Sequence, residues 1–377
     1  MSRYAILHAA GFDPERLRPF FPACRPVRAA KTAEKPPVAA DETIVFALPN
    51  AALGAWTAAY RDHGRNEAFV FPCDTRSAGT APIPIELSKP RLDYFETEIS
   101  ETCNLNCRGC CDYSNLLSGR RFYEFEQYLS DLKRMRELFW GVEKIRIMGG
   151  EPLLNPRLPD YAEAARSVFP DADLRIVSNG LLIPSLSADT LRRIREAGCS
   201  FDVSNYPPTR KRMKDINRTL REAGIAYDLS FPMNYFFRNL RVTPADDPAP
   251  AFRNCIFTHC HMLGNGRLAP CSYAYCVHRF NERFGTAYPE TDWVDLYHNT
   301  PDGWEILRRF SRPHEFCRCC GSGIAPIRWK GDCRGAEPKA SDWQIPPTFW
   351  NLRVLPAAQR VLKPAAVRLR ARIQKKK

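Results

Sequence analysis

The sequence predicts an α/β fold: a parallel sheet covered by helices, with a small front unit and a cysteine-rich end. Three observations carry this expectation. Short apolar runs alternate with helical periods from Arg91 to Leu229. Polar motifs fall just after the apolar runs, where ligands gather in such sheets. Beyond residue 250 the rhythm stops and cysteines accumulate.

In order along the chain, residues 1–40 are rich in Pro, Ala and Arg and lack clear periodicity except around Arg16–Phe21. Thr43–Leu48 reads as a buried strand, Ala51–Arg61 as a helix and Ala68–Phe71 as a second strand. Pro82, Pro84 and Pro90 read as a linker. Strands are expected at Leu92–Ser100, Glu143–Met148, Leu174–Val177, Phe201–Val203 and Ile225–Leu229. Helices are expected at Tyr123–Phe139, Tyr161–Val168, Asp189–Ala197 and Lys211–Ala223. Crossovers between such strands are right-handed. Met262–Ala269 reads as a hairpin turning at Gly264-Asn265-Gly266. The rest of 252–335 reads as loop-like, held by metal cross-links. The expected units are 1–88, 89–250, 251–335 and a basic tail, 336–377.

Composition narrows the function. The chain has 377 residues, 44% hydrophobic and 26% charged, as ordinary globular proteins do. No apolar run approaches the roughly 18 residues of a membrane span, and the first residues are broken by polar ones too soon for a secretory signal. A cytoplasmic protein is expected. The net charge is +13, but Asn351–Lys377 carries nine Lys or Arg and no acid. Much of the imbalance is one tail, so no nucleic-acid surface is expected. Apolar Val361, Leu362, Val367, Leu369 and Ile373 lie among those basic residues, a pattern that suits either a solvated end or peripheral contact with an anionic membrane.

The 15 cysteines are an odd number in a long chain, which argues against a disulfide framework. Cys24, Cys73 and Cys199 stand alone; the others cluster at 103–111, 255–276 and 317–333. Clusters of this kind point to metal. Cys103-x3-Cys107-x2-Cys110 directly follows a predicted strand. Thiolates ligate iron–sulfur clusters, normally four per cubane. Three in one loop leave one iron open to a ligand. Downstream, Gly149-Gly150-Glu151 ends the next strand, Ser178-Asn179-Gly180 the third and Ser204-Asn205 the fourth.

The three-cysteine loop with its Gly-Gly-Glu partner resembles the radical S-adenosylmethionine (SAM) superfamily. The resemblance covers roughly residues 91–335 and implies a partial (β/α) barrel. It implies a 4Fe–4S cluster on Cys103, Cys107 and Cys110 whose open iron binds the amino and carboxylate groups of SAM. The reduced cluster then breaks the S–C5′ bond, and the 5′-deoxyadenosyl radical abstracts hydrogen from a substrate. Gly149, Gly150 and Glu151 would bind the methionine end of SAM; Ser178, Ser204 and Asn205 would bind its ribose hydroxyls and carboxylate. Gly109 departs from the family, which often has an aromatic residue there, near the adenine. Cys111 reads as a non-ligand. No residue is singled out as catalytic acid, base or hydrogen donor.

Cys255-x10-Gly266-x4-Cys271 together with Cys317-x2-Cys320 resembles the truncated SPASM, or twitch, extension. That implies one auxiliary 4Fe–4S cluster on Cys255, Cys271, Cys317 and Cys320. Cys260, Cys276 and Cys319 are spare or alternative ligands, and a zinc knot is the competing reading. A reductant such as flavodoxin or ferredoxin is implied. The front segment resembles Rossmann-like segments of bacterial polysaccharide-cluster proteins, though it lacks a Gly-rich phosphate loop and reads equally as a packing or docking module. The expected substrate is therefore a carbohydrate, lipid-linked or nucleotide-linked, that is oxidised, epimerised or dehydrated. The alternatives are a maturase of ribosomally made peptides and a metal-bound scaffold without turnover.

Overall fold

A computed structural model describes residues 3–346 apart from 11, 23, 30–35, 72–80, 256–259 and 332–335. The front unit contains β1 (Arg3–His8), β2 (Cys24–Arg28), β3 (Glu42–Ala47), α1 (Asn50–Ala59), β4 (Glu67–Val70) and β5 (Ile83–Glu86). Its sheet has the order β2-β1-β3-β4-β5, parallel except for β5. Two expectations fail here. The first forty residues supply β1 and β2, and Ala5, Ile6 and Leu7 are completely buried. The proline-marked linker holds β5, where Pro84 pairs with Phe69 at the sheet edge, the position that tolerates a missing N–H.

The core follows with β6 (Arg91–Ser100), α2 (Phe125–Leu138), β7 (Gly141–Gly149), α3 (Leu158–Val168), β8 (Asp173–Ser178), α4 (Ala188–Glu196) and β9 (Ser200–Val203). Then come α5 (Pro207–Lys211), α6 (Met213–Glu222) and β10 (Tyr227–Leu229). The helix expected at Lys211–Ala223 is thus broken at Arg212. Strands β6 to β10 are parallel in sequence order. Ile145, Ile147, Leu174, Ile176, Phe201 and Val203 are buried in the layer shared with the helices. Each such side chain contributes about 1.5–3 kcal/mol on leaving water. The alternate residues line the other face with charge. There Arg146 pairs with Asp202 (2.8 Å), and Arg175 bridges Asp173 (2.9 Å), Asp202 (3.3 Å) and Asp228 (2.6 Å). The sheet is open, a partial barrel.

The last part contains β11 (Tyr235–Leu240), α7 (Ala249–Asn254), β12 (Met262–Gly264), β13 (Arg267–Ala269), α8 (Ser272–Phe284), β14 (Val294–Asp295), α9 (Gly303–Phe310) and β15 (Cys320–Arg328). The hairpin β12–β13 turns at Asn265 (φ +49°) and Gly266 (φ +74°), the left-handed pair a tight hairpin needs. Residues 252–335 are more regular than expected. Helix α8 runs for 13 residues and ends at Gly285 in the left-handed region. Strand β12 pairs in parallel with β6, so the core sheet continues past residue 251. Residues 336–346 are not a free tail: Trp343 is buried against Tyr113 and Phe280. The basic run 357–377 lies outside the described residues. Among the described residues, no helix is long and apolar enough to cross a membrane.

The front unit meets the barrel floor at a buried ion pair. Arg91 Nη2 lies 2.9 Å from Asp171 Oδ2, and both side chains are 1% exposed. The guanidinium also lies over Trp140, which packs in the front core and donates to Thr57. Removing Asp171 leaves Arg91 with the more distant Glu143 carboxylate (3.9 Å), so the loss is at most that of a fully stranded buried charge, about 3–5 kcal/mol. Asp171→Ala should therefore lower the unfolding free energy read from urea titration by up to that much, and the pair Arg91→Met with Asp171→Leu should recover most of it. A loss below about 0.5 kcal/mol in Asp171→Ala, within the range of surface substitutions, would show the pair to be dispensable.

Candidate active site

The ends of β6, β7 and β8 form one joint. Gly150 N donates to Ser100 O (2.7 Å) and Glu151 N to Thr102 O (2.9 Å), which fixes the cysteine loop against the second strand end. A Cβ on Gly149, whose φ is +148°, would lie 2.0 Å from Ser100 O; one on Gly150 would lie 2.6 Å from the Thr102 carbonyl. The two glycines are thus required by the approach of two backbones.

Glu151 is fully buried and faces the protein. Its Oε1 accepts from Leu153 N (3.1 Å) and Ser178 Oγ (2.8 Å), its Oε2 from Asn179 N (2.9 Å). The carboxylate expected to meet the SAM ammonium ties the third strand end to the second. Burial raises its pKa to about 7 against these three donors. Ser178 is likewise occupied, since its hydroxyl also accepts from Gly180 N (2.9 Å). Asn205 is nearly buried and bonds to Ser230, donating from Nδ2 to the carbonyl (3.1 Å) and from its backbone N to Oγ (2.9 Å). Ser204 is partly exposed, held by its backbone N to Ser178 O (2.8 Å). Asn179 has more to do than make a turn: its Nδ2 donates to Asn104 Oδ1 (2.7 Å) and so joins β8 to the cysteine loop.

In that loop, Asn106 (φ +48°) and Gly109 (φ +68°) take left-handed backbone and wind the chain tightly. Burial, with Cys110 nearby, raises the Cys103 thiol to about 12. A hydrogen bond from the Cys111 thiol holds Cys110 down at about 7, helped by bonds from the Ser114 and Asp112 backbone. Cys107 is buried. A cleft of about 680 Å³ opens beside the loop, lined by Cys103, Asn106, Arg108, Lys330 and Lys339 among others. Three thiols on one tight turn are the donor set a cluster with one open iron requires.

The chain's far end clamps this loop from outside. Arg108 Nε meets Asp342 Oδ1 (2.6 Å), and Trp343 Nε1 donates to Cys110 O (2.7 Å). A Cβ on Gly109 would lie 3.1 Å from Asp342 O, which explains the glycine at this position. Behind the loop, Arg279 of α8 grips Glu98 with both nitrogens (3.1 and 2.6 Å), the Asp112 carbonyl (2.8 Å) and Glu101 (3.3 Å). Glu98, Asp112 and Cys276 lie close enough to share a metal ion, but the guanidinium already holds Glu98 there. Asn179, Arg279 and Asp342 are not legible as site residues in one sequence; only the Asn-Gly pair after a strand hinted at the first.

The structure brings the second set of cysteines together. Cys255, Cys271, Cys317 and Cys320 all line one apolar cavity of about 300 Å³, with Phe252 and His314. Burial raises the Cys317 thiol to about 11, with Cys255 adding to the shift. Burial likewise pushes up Cys271, with Cys320 and Cys255 beside it. Of the three alternatives, Cys276 lies against Glu98 and Cys319 is buried near Glu315 and Arg318, while Cys260 lies near Glu96 and Arg146 and within electrostatic reach of Cys255.

Residues 97–226 match the model of the radical SAM superfamily. The three-cysteine loop and strands β7 to β9 lie within this matched segment, and the superfamily it matches uses a 4Fe–4S cluster and SAM. The GTP 3′,8-cyclase of Sulfurovum sp. (strain NBC37-1) is 31% identical over 115 residues, 28% of this chain and 32% of that protein. The GTP 3′,8-cyclase of Crocosphaera subtropica is 31% identical over 118 residues, 30% and 35% of the two chains. The chain thus spans about a third of the length of these curated relatives. Among solved structures, BtrN in complex with AdoMet and 2-DOIA is 16% identical, covering 63% of this chain and 96% of its own, with a TM-score of 0.38. The enzyme anSMEcpe with bound AdoMet is 18% identical, covering 37% and 43%, with a TM-score of 0.31.

Glu151 gives a pH prediction. Its folded pKa, about 7, stands above the ordinary 4.5, so its carboxyl favours the folded state most below pH 4.5. That contribution fades as pH rises through 7, by roughly 3 kcal/mol in all. Gln cannot ionise. The stability of wild type relative to Glu151→Gln, followed by thermal unfolding from pH 5 to 8, should therefore fall with pH. A constant difference would show that Glu151 does not titrate in this range.

Proposed function

We propose that this chain is an enzyme that cleaves SAM reductively and abstracts hydrogen from a polar carbohydrate, lipid-linked or nucleotide-linked. The carrying observation is the Gly149-Gly150-Glu151 turn hydrogen-bonded to Ser100 and Thr102, the residues that lead into the three-cysteine loop. Cys103, Cys107 and Cys110 would hold the cluster. When bound, that cluster supplies the electron that splits SAM into methionine and a 5′-deoxyadenosyl radical. Glu151 acts as a positioning residue: by gripping Ser178 and Asn179 it fixes the turn that would meet the methionine end of SAM. Ser204, at the fourth strand end, would meet SAM hydroxyls. Ser178 and Asn205 act through the packing they hold.

The four-cysteine cavity is read as the site of a second 4Fe–4S cluster. Its place in the reaction would be to accept an electron from the substrate radical, which makes the net reaction an oxidation. Epimerisation or dehydration would leave it as a structural or substrate-binding centre. Reducing equivalents would come from a flavodoxin or ferredoxin. The polar substrate is supported by the charged face of the sheet, where Glu96, Arg146, Arg175 and Asp202 offer paired donors and acceptors. We retain 1–88, 89–250, 251–335 and the C-terminal remainder as functional units, with 336–346 serving as a clamp.

Anaerobically reconstituted protein with a strong reductant should form 5′-deoxyadenosine, and Cys107→Ala should abolish it. Undiminished product from Cys107→Ala would sink the assignment. With a deuterated sugar nucleotide, deuterium should enter the 5′-deoxyadenosine; labelling from a precursor peptide instead would replace the carbohydrate reading by a maturase.

The triple variant Cys103→Ala, Cys107→Ala, Cys110→Ala should keep roughly half the iron, since four thiolates suffice for one cubane cluster. Zinc in place of iron in that variant would make the extension structural. Loss of that iron with Cys260→Ala but not with Cys320→Ala would replace the ligand set.

A further inference from the structure

Strand β11 has two faces with different surroundings. Phe236 turns inward, its ring 5.9 Å from Tyr206, and its partner on β15, Ile327, is buried. Tyr235 and Phe237, on the opposite face of the strand, are 57% and 45% exposed. Across from them on β15 stand Arg328 and Pro326, both exposed as well. The outer face of this two-stranded ribbon is therefore aromatic and open to solvent. It also has company. Seven large apolar side chains are exposed among the described residues, and five of them, Leu229, Phe231, Tyr235, Phe237 and Val242, fall within one stretch of chain. Single exposed apolar side chains are ordinary, whereas a concentration of them marks a surface that meets something.

Charge narrows what that is. Segments 229–242 and 325–330 contain Arg238, Arg241, Arg328 and Lys330 and no Asp or Glu. The chain returns to the ribbon at Ile345, whose N donates to Leu240 O (2.8 Å). Soon after comes Asn351–Lys377, with nine Lys or Arg, no acid, and apolar Val361, Leu362, Val367, Leu369 and Ile373 between them. Two segments that meet at Leu240 thus repeat one chemistry: apolar side chains among cations, without anions. A second copy of this chain would set like charge against like, which disfavours association. An anionic lipid surface suits both halves of the pattern. Aromatic rings settle at the level of the headgroups, and Lys and Arg are drawn to the negative charge there.

We propose that the outer face of the β11–β15 ribbon, with the basic segment that follows it, docks on an anionic lipid surface. At the ribbon's end, the Lys330 carbonyl accepts from Arg108 N of the cysteine loop (2.9 Å). Docking therefore brings that loop towards the layer from which a lipid-linked substrate would come. The docking itself does not depend on SAM chemistry, and its test reads none.

The test is flotation of the full, reconstituted chain with two kinds of vesicle, phosphatidylcholine alone and phosphatidylcholine mixed with phosphatidylglycerol. Wild type should float with the mixed vesicles only, and less as salt is raised. Tyr235→Ser with Phe237→Ser removes two exposed rings and leaves every cation in place. It should bind the mixed vesicles about tenfold more weakly. Undiminished flotation of the double variant would overturn the proposal, and so would a wild type that stays in the soluble fraction. A dimer in solution that the double variant dissociates would give the face to a second copy and overturn it too. If the double variant does not fold, Phe237→Trp decides. Its added indole emission should shift to the blue on mixed vesicles, and an unchanged emission would overturn the proposal. Failed flotation with SAM cleavage intact would sink this proposal alone; flotation without SAM cleavage would sink only the reading of the active site.

Discussion

Two backbone hydrogen bonds, from Gly150 to Ser100 and from Glu151 to Thr102, are the constraint on which the rest of the site depends. They join the ends of neighbouring parallel strands at the point where β6 and β7 leave their ladder. The cysteine loop begins three residues after Ser100, so its origin is set by this joint. Close approach demands glycine twice, and Glu151 beneath the joint locks the third strand end into the same frame. A buried carboxylate with three donors is rigid in a way that an exposed one is not. Glu151 and Ser178 thus commit hydrogen bonds to the frame of the site itself.

A second consequence is that the cysteine loop is held by the far end of the chain. Arg108, Gly109 and Cys110 contact Asp342, Trp343 and the segment around Lys330. From the other side Arg279 binds the Asp112 carbonyl and Glu98, and it stands on the helix that starts directly after Cys271. Helix α8 thus runs from the four-cysteine cavity to the residues behind the three-cysteine loop.

Much of this was legible in the sequence because its signals are local. The core strands and helices declare themselves by period, and Asn265-Gly266 declares a hairpin. The cysteine spacings named the four residues that share the auxiliary cavity. The rest depended on contacts distant in sequence. Nothing in Gly149-Gly150 reveals that Ser100 stands 2.0 Å from a missing Cβ. Gly109 reads as a departure until Asp342, 233 residues on, is seen against it. Strand β1 was hidden because a short apolar run near a chain end is ambiguous, and β5 because proline argues against a strand except at an edge. Helix α8 was masked by its mixture of Tyr, Cys, His and Arg, which blurs the apolar stripe.

The central claim is that the loop from Cys103 to Cys110 holds a cluster whose fourth iron is open to SAM. Electron–nuclear double resonance on the reduced wild-type protein, with SAM labelled with ¹⁵N at its amino group, tests it directly. The account predicts a resolved hyperfine coupling from that nitrogen to the cluster. Saturating SAM with no such coupling would contradict it.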